Sequence, residues 1–299
     1  MDAPSFKEVV TLLLKVIWEF IHAGFRLIVP YPKKNISGEI VLVTGSAHGI
    51  GRELALSFAR YGATLVLWDV NKDGNEATAD EVRKQGGTAH AYLCDVSNTD
   101  DVKRVAERVR RDVGDVTILV NNAGILHGLD LLQLTDQQIR KTIEINTMAH
   151  FWTVREFLPK MLEFDHGHIV TISSMSGFYG ASYLVDYSTS KYAVRGFTEA
   201  LAEEIRRLGK TQIKTTTVFP MFVDTGLVTG IDQRFEKQLT PQQVAKATVS
   251  GVLRNRLHVF VPRKCDFTAR LKMFLPTKVI NLLIDFGNSK IQLQEKKSK

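Results

Sequence analysis

The sequence predicts an α/β protein with a doubly wound, seven-stranded parallel sheet and helices on both of its faces. From Glu39 onward, short β-rich runs alternate with helical stretches, as in sheets whose parallel strands are joined by crossover helices. The predicted strands are residues 40–44, 64–68, 88–93, 116–120, 168–172, 214–219 and 258–262. Their apolar character favours strands that are buried on both faces.

The stretches between these strands have the periodicity of amphipathic helices. Residues 99–113, for example, place Val102, Val105, Ala106 and Val109 on one face. This spacing is typical of a helix that packs one side against a sheet. No internal repeat or low-complexity tract interrupts the alternation, so we predict a single α/β domain.

The net charge of +7 on the 299-residue chain is unevenly distributed. Residues 1–37 carry a surplus of +2 and residues 263–299 a surplus of +6, which leaves residues 38–262 at −1. We predict three regions with these bounds: an N-terminal hydrophobic, membrane-anchoring segment, the α/β domain, and a basic amphipathic C-terminal extension. Basic flanks without a nucleic-acid motif favour an anionic membrane surface as partner and argue against nucleic acid.

The two cysteines, Cys94 and Cys265, are too few for a disulfide framework. Neither lies in a metal-ligand spacing. We therefore predict two reduced thiols, no metal site, and a domain that faces the cytosol.

The N-terminal segment contains residues 9–29, a stretch long enough to span a bilayer but interrupted by three charges. On a helix its polar residues fall within an arc of about 80°. These residues are Glu8, Thr11, Lys15, Glu19, His22 and Arg26. A narrow polar stripe on a wide apolar body predicts a helix that lies in the membrane interface. A spanning helix and a helix docked on the protein itself are the alternatives.

The C-terminal extension also combines apolar and basic residues. Its apolar residues are Phe267, Leu271, Phe274, Leu275, Val279, Leu282, Leu283 and Phe286, and Arg270, Lys272 and Lys278 lie among them. We interpret the region as a second membrane-facing element, broken at Pro276, with packing against the α/β domain as the alternative. Residues 296–299 (KKSK) resemble the dilysine retrieval signal of endoplasmic-reticulum membrane proteins.

A glycine-rich loop joins the first predicted strand to the next helix, and its glycines have the spacing GxxxGxG. Glycines let the backbone approach a pyrophosphate, and the helix N-terminus offers unpaired N–H groups and a favourable dipole. The position between a strand and a helix is the one that this mechanism needs. We therefore predict dinucleotide contacts from Gly45, Ser46, His48, Gly49, Ile50 and Gly51.

Asp69 ends the second predicted strand. A carboxylate at this point can accept hydrogen bonds from the adenosine ribose hydroxyls and would repel a 2′-phosphate. Val70, the next residue, offers no positive charge to offset that repulsion. The pattern therefore favours NAD over NADP as the cofactor.

Two more loops follow at the carboxyl ends of the third and fourth predicted strands, where ligands bind such sheets. Asp95 and Val96 follow the third strand and are expected to cover the adenine. Asn122, Ala123 and Gly124 follow the fourth strand, where small residues and a side-chain amide can lie beside the cofactor.

Tyr187 and Lys191 are four residues apart, which places both side chains on one face of a helix. A phenol has a pKa near 10, and a neighbouring ammonium group lowers this pKa by stabilising the phenolate. The pair can therefore act as a general base on an alcohol or as a general acid in the reverse direction. Ser174, at the end of the fifth strand, can hold the substrate oxygen. Asn146 can anchor a water that relays the proton.

Together these motifs resemble the short-chain dehydrogenase/reductase family over residues 38–262. The resemblance implies a Rossmann-type domain with Tyr187 as acid/base. It assigns to Lys191 the lowering of the tyrosine pKa and the binding of the nicotinamide ribose. It also implies that Ser174 polarises the substrate oxygen and that Asn146 holds the relay water.

The same resemblance assigns further cofactor contacts to Pro220 and Thr225. Met221 departs from the family pattern, because many members have glycine after the proline, and it is expected to narrow the substrate entrance or shift the loop. Residues 222–240 are expected to form much of the substrate wall. The apolar residues of that segment are Leu227, Val228, Ile231, Phe235 and Leu239.

Longer segments, among them 38–52, 65–78, 113–124, 149–159 and 166–174, resemble the membrane-associated retinol and 17β-hydroxysteroid dehydrogenases. This resemblance implies NAD-dependent oxidation of a lipophilic alcohol, such as retinol or a steroid, by a homodimer paired through the helices that carry Asn146 and Tyr187. It implies attachment to the endoplasmic reticulum or to lipid droplets, with the catalytic domain facing the cytosol. The alternatives are an NADPH-dependent carbonyl reductase and a scaffold protein of such surfaces.

Overall fold

The computed structural model describes residues 3–225, 231–232, 238–287 and 290–291. The chain divides into two compact units, Met1–Lys34 and Asn35–Lys299. The second unit contains the sheet and the cleft described below. Part of the expected substrate wall (Leu227, Val228 and Phe235) and the lysine-rich residues 296–299 lie outside the described residues.

Seven parallel strands form the main sheet in the order β3-β2-β1-β4-β5-β6-β8, which confirms the predicted fold class. The strands of the chain are β1 (Ile40–Thr44), β2 (Thr64–Asp69), β3 (Thr88–Leu93), β4 (Ile118–Asn121), β5 (Gly167–Ile172), β6 (Ile213–Pro220), β7 (Ile231–Asp232), β8 (His258–Val261) and β9 (Lys290–Ile291). The short strands β7 and β9 form a separate antiparallel pair.

Helices connect the strands and cover both faces of the sheet. They are α2 (Gly49–Ala59), α3 (Lys72–Lys84), α4 (Thr99–Asp112), α5 (Asp136–Ile143), α6 (Ala149–Phe164), α7 (Val185–Arg207) and α8 (Pro241–Leu253). In chain order, α1 (Phe6–Ile28) precedes them in the N-terminal unit, and α9 (Cys265–Leu271) and α10 (Thr277–Gly287) follow β8. Helix α4 buries the four apolar residues that its sequence pattern predicts, and the Asn98 side chain caps its N-terminus.

Two apolar layers hold the helices against the sheet. One layer packs Leu54 and Phe58 of α2 with residues of α3 and α8 against one face of the sheet. The other packs α4, α6 and α7 against the opposite face, with Trp68 and Phe157 in ring contact at 5.7 Å. Because the sheet is covered on both sides, side chains on both faces of β1, β2, β4 and β5 are buried.

The N-terminal unit contains one helix, α1, which begins with a capping box between Ser5 and Glu8. Its apolar side chains are largely exposed; Phe20, for example, is 77% exposed and Leu14 is 64% exposed. Of the helices in the described ranges, none combines the length and hydropathy of a bilayer-crossing segment.

The C-terminal extension forms α9, a 3-10 turn (Lys272–Phe274) and α10, with the break between them at Pro276 that the sequence predicts. Helix α9 buries Cys265 and Ala269 in a third apolar cluster, where they meet Phe219 and Phe260 of the sheet. The beginning of the extension is therefore packed as part of the α/β unit.

Candidate active site

A cleft opens at the carboxyl edge of the main sheet. The strand order reverses between β1 and β4, and sheets of this kind bind ligands at such a switch point. The predicted site residues that line the cleft are Gly45, His48, Gly49, Ile50, Gly51, Asn122, Ala123, Gly124, Ser174, Tyr187, Lys191, Pro220 and Thr225. Residues from four strand ends and from α7 thus meet in one cleft.

The glycine loop is packed so closely that two of its positions exclude a side chain. Gly45 has φ +67°, and a Cβ there would lie 2.9 Å from the Ala123 Cα. A Cβ on Gly51 would lie 1.9 Å from the carbonyl oxygen of Gly45. Helix α2 begins at Gly49, and the side chain of its N-cap residue, His48, makes no capping hydrogen bond. The first turn of α2 is therefore suited to binding a pyrophosphate.

Thr44 and Asn122 join the glycine loop to the loop after β4. The Thr44 Oγ1 accepts hydrogen bonds from the backbone N–H groups of Asn122 and Ala123, each at 3.0 Å. The Asn122 Nδ2 donates to the carbonyls of Thr44 and Gly45, at 2.9 and 3.1 Å. Sequence analysis assigned no role to Thr44, although it is the first residue of the glycine motif.

Asp69 is 8% exposed, and both of its carboxylate oxygens have backbone partners. Oδ2 accepts a hydrogen bond from the N–H of Ala47 at 2.9 Å, and Oδ1 accepts one from the N–H of Asn71 at 2.8 Å. Asp69 therefore braces the glycine loop from the end of β2. It does not line the cleft, so its predicted contact with a ribose stays a prediction.

Three other predicted cofactor residues also lie outside the lining of the cleft. Ser46 is fully buried, and its hydroxyl donates to the Asn75 Oδ1 at 2.7 Å. Asp95 accepts a hydrogen bond from the backbone N–H of Ser97 at 2.9 Å. Val96 packs into the apolar layer of α4, α6 and α7. Their side chains stabilise the surrounding loops, and their contacts with a cofactor stay predictions.

The end of β5 and the first turns of α7 bring three predicted catalytic side chains together. The Ser174 hydroxyl forms a hydrogen bond with Tyr187 and accepts one from the backbone N–H of Ser176 at 3.1 Å. The Lys191 Nζ lies 5.5 Å from the centroid of the Tyr187 ring and donates to the carbonyl of Ile172 at 3.0 Å. Lys191 is 3% exposed, so its ammonium group is fixed within the cleft.

Burial raises the pKa of Tyr187 to about 12, and the hydrogen bond with Ser174 opposes this rise. Burial also lowers the pKa of Lys191 to about 8. Burial dominates the pKa of this phenol, and the lowering of the pKa by Lys191 stays a prediction. Tyr187 therefore carries its proton at neutral pH.

Asn146 lies in a π-helical turn, Glu144–Met148, between α5 and α6. Its Oδ1 accepts a hydrogen bond from the N–H of Ile125 at 2.8 Å, and its Nδ2 donates to the carbonyl of Ile125 at 2.9 Å. The Nδ2 also donates to the Ser190 Oγ at 3.1 Å. The fully buried amide thus ties the loop after β4 to α7, next to Lys191. Its role with a relay water stays a prediction.

Mainly apolar residues that sequence analysis did not single out line the rest of the cleft: Leu126, Ile172, Ser173, Met175, Ser176, Leu184 and Val223. Each lies within three residues of a predicted site residue, so proximity along the chain is the signal that could have found them. Met221 and Phe222 line the cleft as well. Leu239, from the expected substrate wall, packs against the layer of α2, α3 and α8.

The loop between Ser174 and α7 is tied to the C-terminal extension. The Phe178 carbonyl accepts hydrogen bonds from the Tyr192 hydroxyl and from the Lys272 Nζ. The Tyr179 hydroxyl donates to the carbonyl of Thr268 at 2.6 Å. The start of the extension is therefore attached to the loop that carries part of the cleft wall.

The glycine loop, the Ser174–Tyr187–Lys191 group and the parallel sheet together define a nucleotide-dependent oxidoreductase fold and site. The sequence pattern of the short chain dehydrogenase family matches residues 39–235. The chain belongs to this family and is an oxidoreductase.

Individual relatives match nearly the whole chain. Human 17-beta-hydroxysteroid dehydrogenase 13 is 43% identical, over 92% of each chain. Human epidermal retinol dehydrogenase 2 is 42% identical, over 94% of this chain and 93% of its own.

Solved structures of the family share the fold. A short-chain dehydrogenase/reductase from Burkholderia phymatum in complex with NAD is 26% identical, with a TM-score of 0.74 over 87% of this chain and 99% of its own. A metagenomic short-chain oxidoreductase in complex with NADP is 27% identical, with a TM-score of 0.63 over 74% of this chain and 92% of its own.

Proposed function

We propose that this protein oxidises a lipophilic alcohol to the carbonyl with NAD, with Tyr187 as the acid/base. The observation that carries this proposal is the position of Ser174, Tyr187 and Lys191 in one cleft with the glycine loop and an apolar lining. Relatives named as retinol and 17β-hydroxysteroid dehydrogenases support retinol, a steroid or another lipid-derived alcohol as the substrate.

The residues of the cleft fit a nicotinamide dinucleotide. The glycine loop and the start of α2 would hold the pyrophosphate, and Asn122, Ala123, Gly124, Pro220 and Thr225 would lie along the rest of the cofactor. When bound, the nicotinamide supplies the hydride acceptor. The carboxylate of Asp69, held beside the glycine loop by Ala47, favours NAD because it would repel a 2′-phosphate.

The proton of the alcohol passes to the chain's own residues. Ser174 holds the substrate oxygen. Tyr187, which is hydrogen-bonded to Ser174, first releases its own proton to the water held at Asn146 and then, as the phenolate, takes the hydroxyl proton of the alcohol as general base. The buried ammonium of Lys191 stabilises the phenolate form at that moment. Asn146 orients the loop beside this group and holds the water through which the proton leaves.

One observation favours reduction of a carbonyl as a second candidate function. The pKa of Tyr187 is raised to about 12, so at neutral pH the phenol is in the form that donates a proton. The two candidates differ in cofactor as well as in direction, because Asp69 opposes NADPH.

The experiment that tests this function is a rate measurement in lipid nanodiscs. The full-length protein is supplied with NAD or NADP and all-trans-retinol, estradiol or a long-chain alcohol. NADH formation that Ser174→Ala abolishes, and that the exposed control Ser182→Ala leaves unchanged, supports the proposal. Turnover only with NADPH and the corresponding carbonyls replaces it with the reductase. Absence of turnover with every pair contradicts both and favours a scaffold role.

We further propose that the protein attaches to the cytosolic face of endoplasmic-reticulum membrane or lipid droplets. Helix α1 supports this, since its exposed apolar body and its polar stripe suit the membrane interface. The C-terminal extension supports it too, because Phe267, Phe274 and Leu282 are exposed among basic residues.

Flotation of the full-length protein with anionic vesicles tests the attachment. The double substitution Leu13→Asp and Ile17→Asp, at positions one turn apart on the apolar body of α1, is expected to reduce flotation strongly. Thr11→Asp, in the polar stripe, is the matched control and is expected to float like the wild type. Equal flotation of both variants would contradict the proposed role of α1. In cells, fractionation and protease accessibility test the location.

We also propose a homodimer paired through the helices next to Asn146 and Tyr187. Two aromatic residues of α6 support it, since Phe151 and Phe164 are 40% and 64% exposed. Sedimentation of the detergent-solubilised protein is expected to give twice the mass of one chain, and Phe151→Glu is expected to give a single-chain mass. A monomeric wild type would contradict this proposal.

A further inference from the structure

A second polar cluster lies beside the active site and plays no part in the mechanism above. It consists of His127, Thr142 and Asp186 and joins three elements. His127 follows the cleft residue Leu126 on the loop after β4, Thr142 lies on α5 just before the turn of Asn146, and Asp186 directly precedes Tyr187. The cluster therefore joins the loop after β4, the end of α5 and the start of α7.

Asp186 is a buried carboxylate with few partners. It is 5% exposed, and its Oδ2 accepts a hydrogen bond from the Thr142 Oγ1 at 2.8 Å. Within the described part of the chain, its Oδ1 has no hydrogen-bond partner. A buried carboxylate depends strongly on the donors it has, because an unsatisfied charged group is costly.

The orientation of the Thr142 hydroxyl follows from a proton count. Its Oγ1 lies near the Asp186 Oδ2 and 3.0 Å from the carbonyl of Gln138, but a hydroxyl has one proton. The carboxylate is the stronger acceptor. With its proton directed at Asp186, Thr142 can accept from the His127 Nδ1, which lies 3.1 Å away and is 3.5 Å from the Asp186 Oδ2.

We propose that His127, as the Nδ1–H tautomer, donates to Thr142, which donates to Asp186, and that this chain of hydrogen bonds positions Tyr187 against the loop after β4. His127 is a positioning residue, since it acts through Thr142 and Asp186. The same loop holds Asn146 through Ile125. Loss of the chain of hydrogen bonds is therefore expected to displace Tyr187 relative to the Asn146 amide, without removing either group.

A pair of substitutions distinguishes this arrangement from simple packing. In His127→Asn the side-chain amide N–H occupies the place of the Nδ1, whereas in His127→Gln it reaches the place of the Nε2. The matched control is His166→Gln, at an exposed histidine whose Nε2 lies 3.0 Å from Glu39, away from the cleft. The inference rests on the proposed function only for its kinetic readout.

We expect His127→Gln to lower kcat about tenfold while KM and the dissociation constant of NADH stay within about twofold, because small displacements of reacting groups act mainly on the chemical step. His127→Asn is expected to keep kcat within about twofold of the wild type. In the same way, Thr142→Val, which removes the hydroxyl, is expected to lower kcat, whereas Thr142→Ser, which keeps it, is expected to leave kcat near the wild-type value. Equal loss in both members of a pair, or full activity of His127→Gln, would overturn the inference.

A second readout needs no substrate. Urea unfolding of His127→Gln, Asp186→Asn and the double variant is expected to give non-additive losses of stability, because the residues belong to one hydrogen-bonded chain. Additive losses would overturn the inference. If the wild type turns over no alcohol but this coupling is found, the proposed substrate fails while the chain of hydrogen bonds stands.

Discussion

The two halves of the cleft are built by different physical means. The nucleotide half consists of residues 45–51 and 122–124 and is defined by backbone geometry. A Cβ on Gly51 would have no room, and the Asn122 amide donates hydrogen bonds to the carbonyls of Thr44 and Gly45. The substrate half contains apolar side chains such as Met175, Leu184 and Met221, which need only fill space. Backbone constraints select single residue types, whereas apolar lining selects only a class of residue.

The largest effect on cofactor binding is expected in the nucleotide half, from Gly51→Ala. Its Cβ would lie 1.9 Å from the carbonyl oxygen of Gly45, so the loop must move away from its binding conformation. We expect the dissociation constant of NADH to rise about 1000-fold in a fluorescence titration. Gly180→Ala is the control, because a Cβ there meets nothing within 4 Å. Unchanged binding in Gly51→Ala would remove the distinction between the halves.

Lys191, at the junction of the two halves, gives a pH-dependent effect on stability. Burial lowers its pKa from the usual 10.5 to about 8, so between these values the unfolded chain binds a proton that the folded protein does not. The stability contributed by this group is therefore present above pH 10.5 and is lost as the pH falls to 8.

Relative to Lys191→Met, the wild type is expected to gain on the order of 3 kcal/mol in free energy of unfolding as the pH rises through this window. Urea unfolding at a series of pH values measures the difference. A constant difference between the two proteins would show that the ammonium group is not desolvated.

Asp69 tests how the nucleotide half selects its cofactor. In Asp69→Asn, an amide group replaces one of the carboxylate oxygens that accept from Ala47 and Asn71. We expect the affinity for NADH to fall about tenfold, because a charged acceptor is lost. The preference for NADH over NADPH is expected to fall as well, because the charge that repels a 2′-phosphate is lost. Retention of the full preference in this variant would assign cofactor selection to other residues.

The smallest effect is expected in the substrate half, from Met221→Ala. Met221 lines the cleft and packs against the cluster that contains Phe219. Loss of apolar contact is expected to raise KM for a lipophilic alcohol about fivefold while leaving NADH binding unchanged. A change in NADH affinity as large as that in KM would place Met221 in the nucleotide half instead.

The same contrast explains what could be predicted from the sequence. All seven strands of the main sheet were predicted. Strands β1, β2 and β4 were the plainest, because strands that are covered on both faces have nearly continuous apolar sequences. The glycine loop, Asn122 and the Tyr187–Lys191 pair were predicted because their geometry demands particular residue types. Leu126 and Leu184 were not, since one apolar residue replaces another without a distinctive pattern.

Effects of burial could not be predicted either. The raised pKa of Tyr187 depends on how far the folded protein desolvates it, which a spacing of four residues does not reveal. Likewise, the Asp69 carboxylate accepts hydrogen bonds from the backbone N–H groups of Ala47, in the glycine loop, and Asn71, which follows β2. Such contacts appear only when the loops are placed in space.

The central claim is that the nucleotide half binds the cofactor while Tyr187 performs the proton transfer. Tyr187→Phe, with the exposed Tyr61→Phe as control, tests both parts in one protein by NADH titration and by alcohol oxidation in nanodiscs. We predict an unchanged dissociation constant of NADH and a fall in kcat of about 1000-fold for Tyr187→Phe, as for loss of a general acid/base. Turnover that survives in Tyr187→Phe would contradict the account.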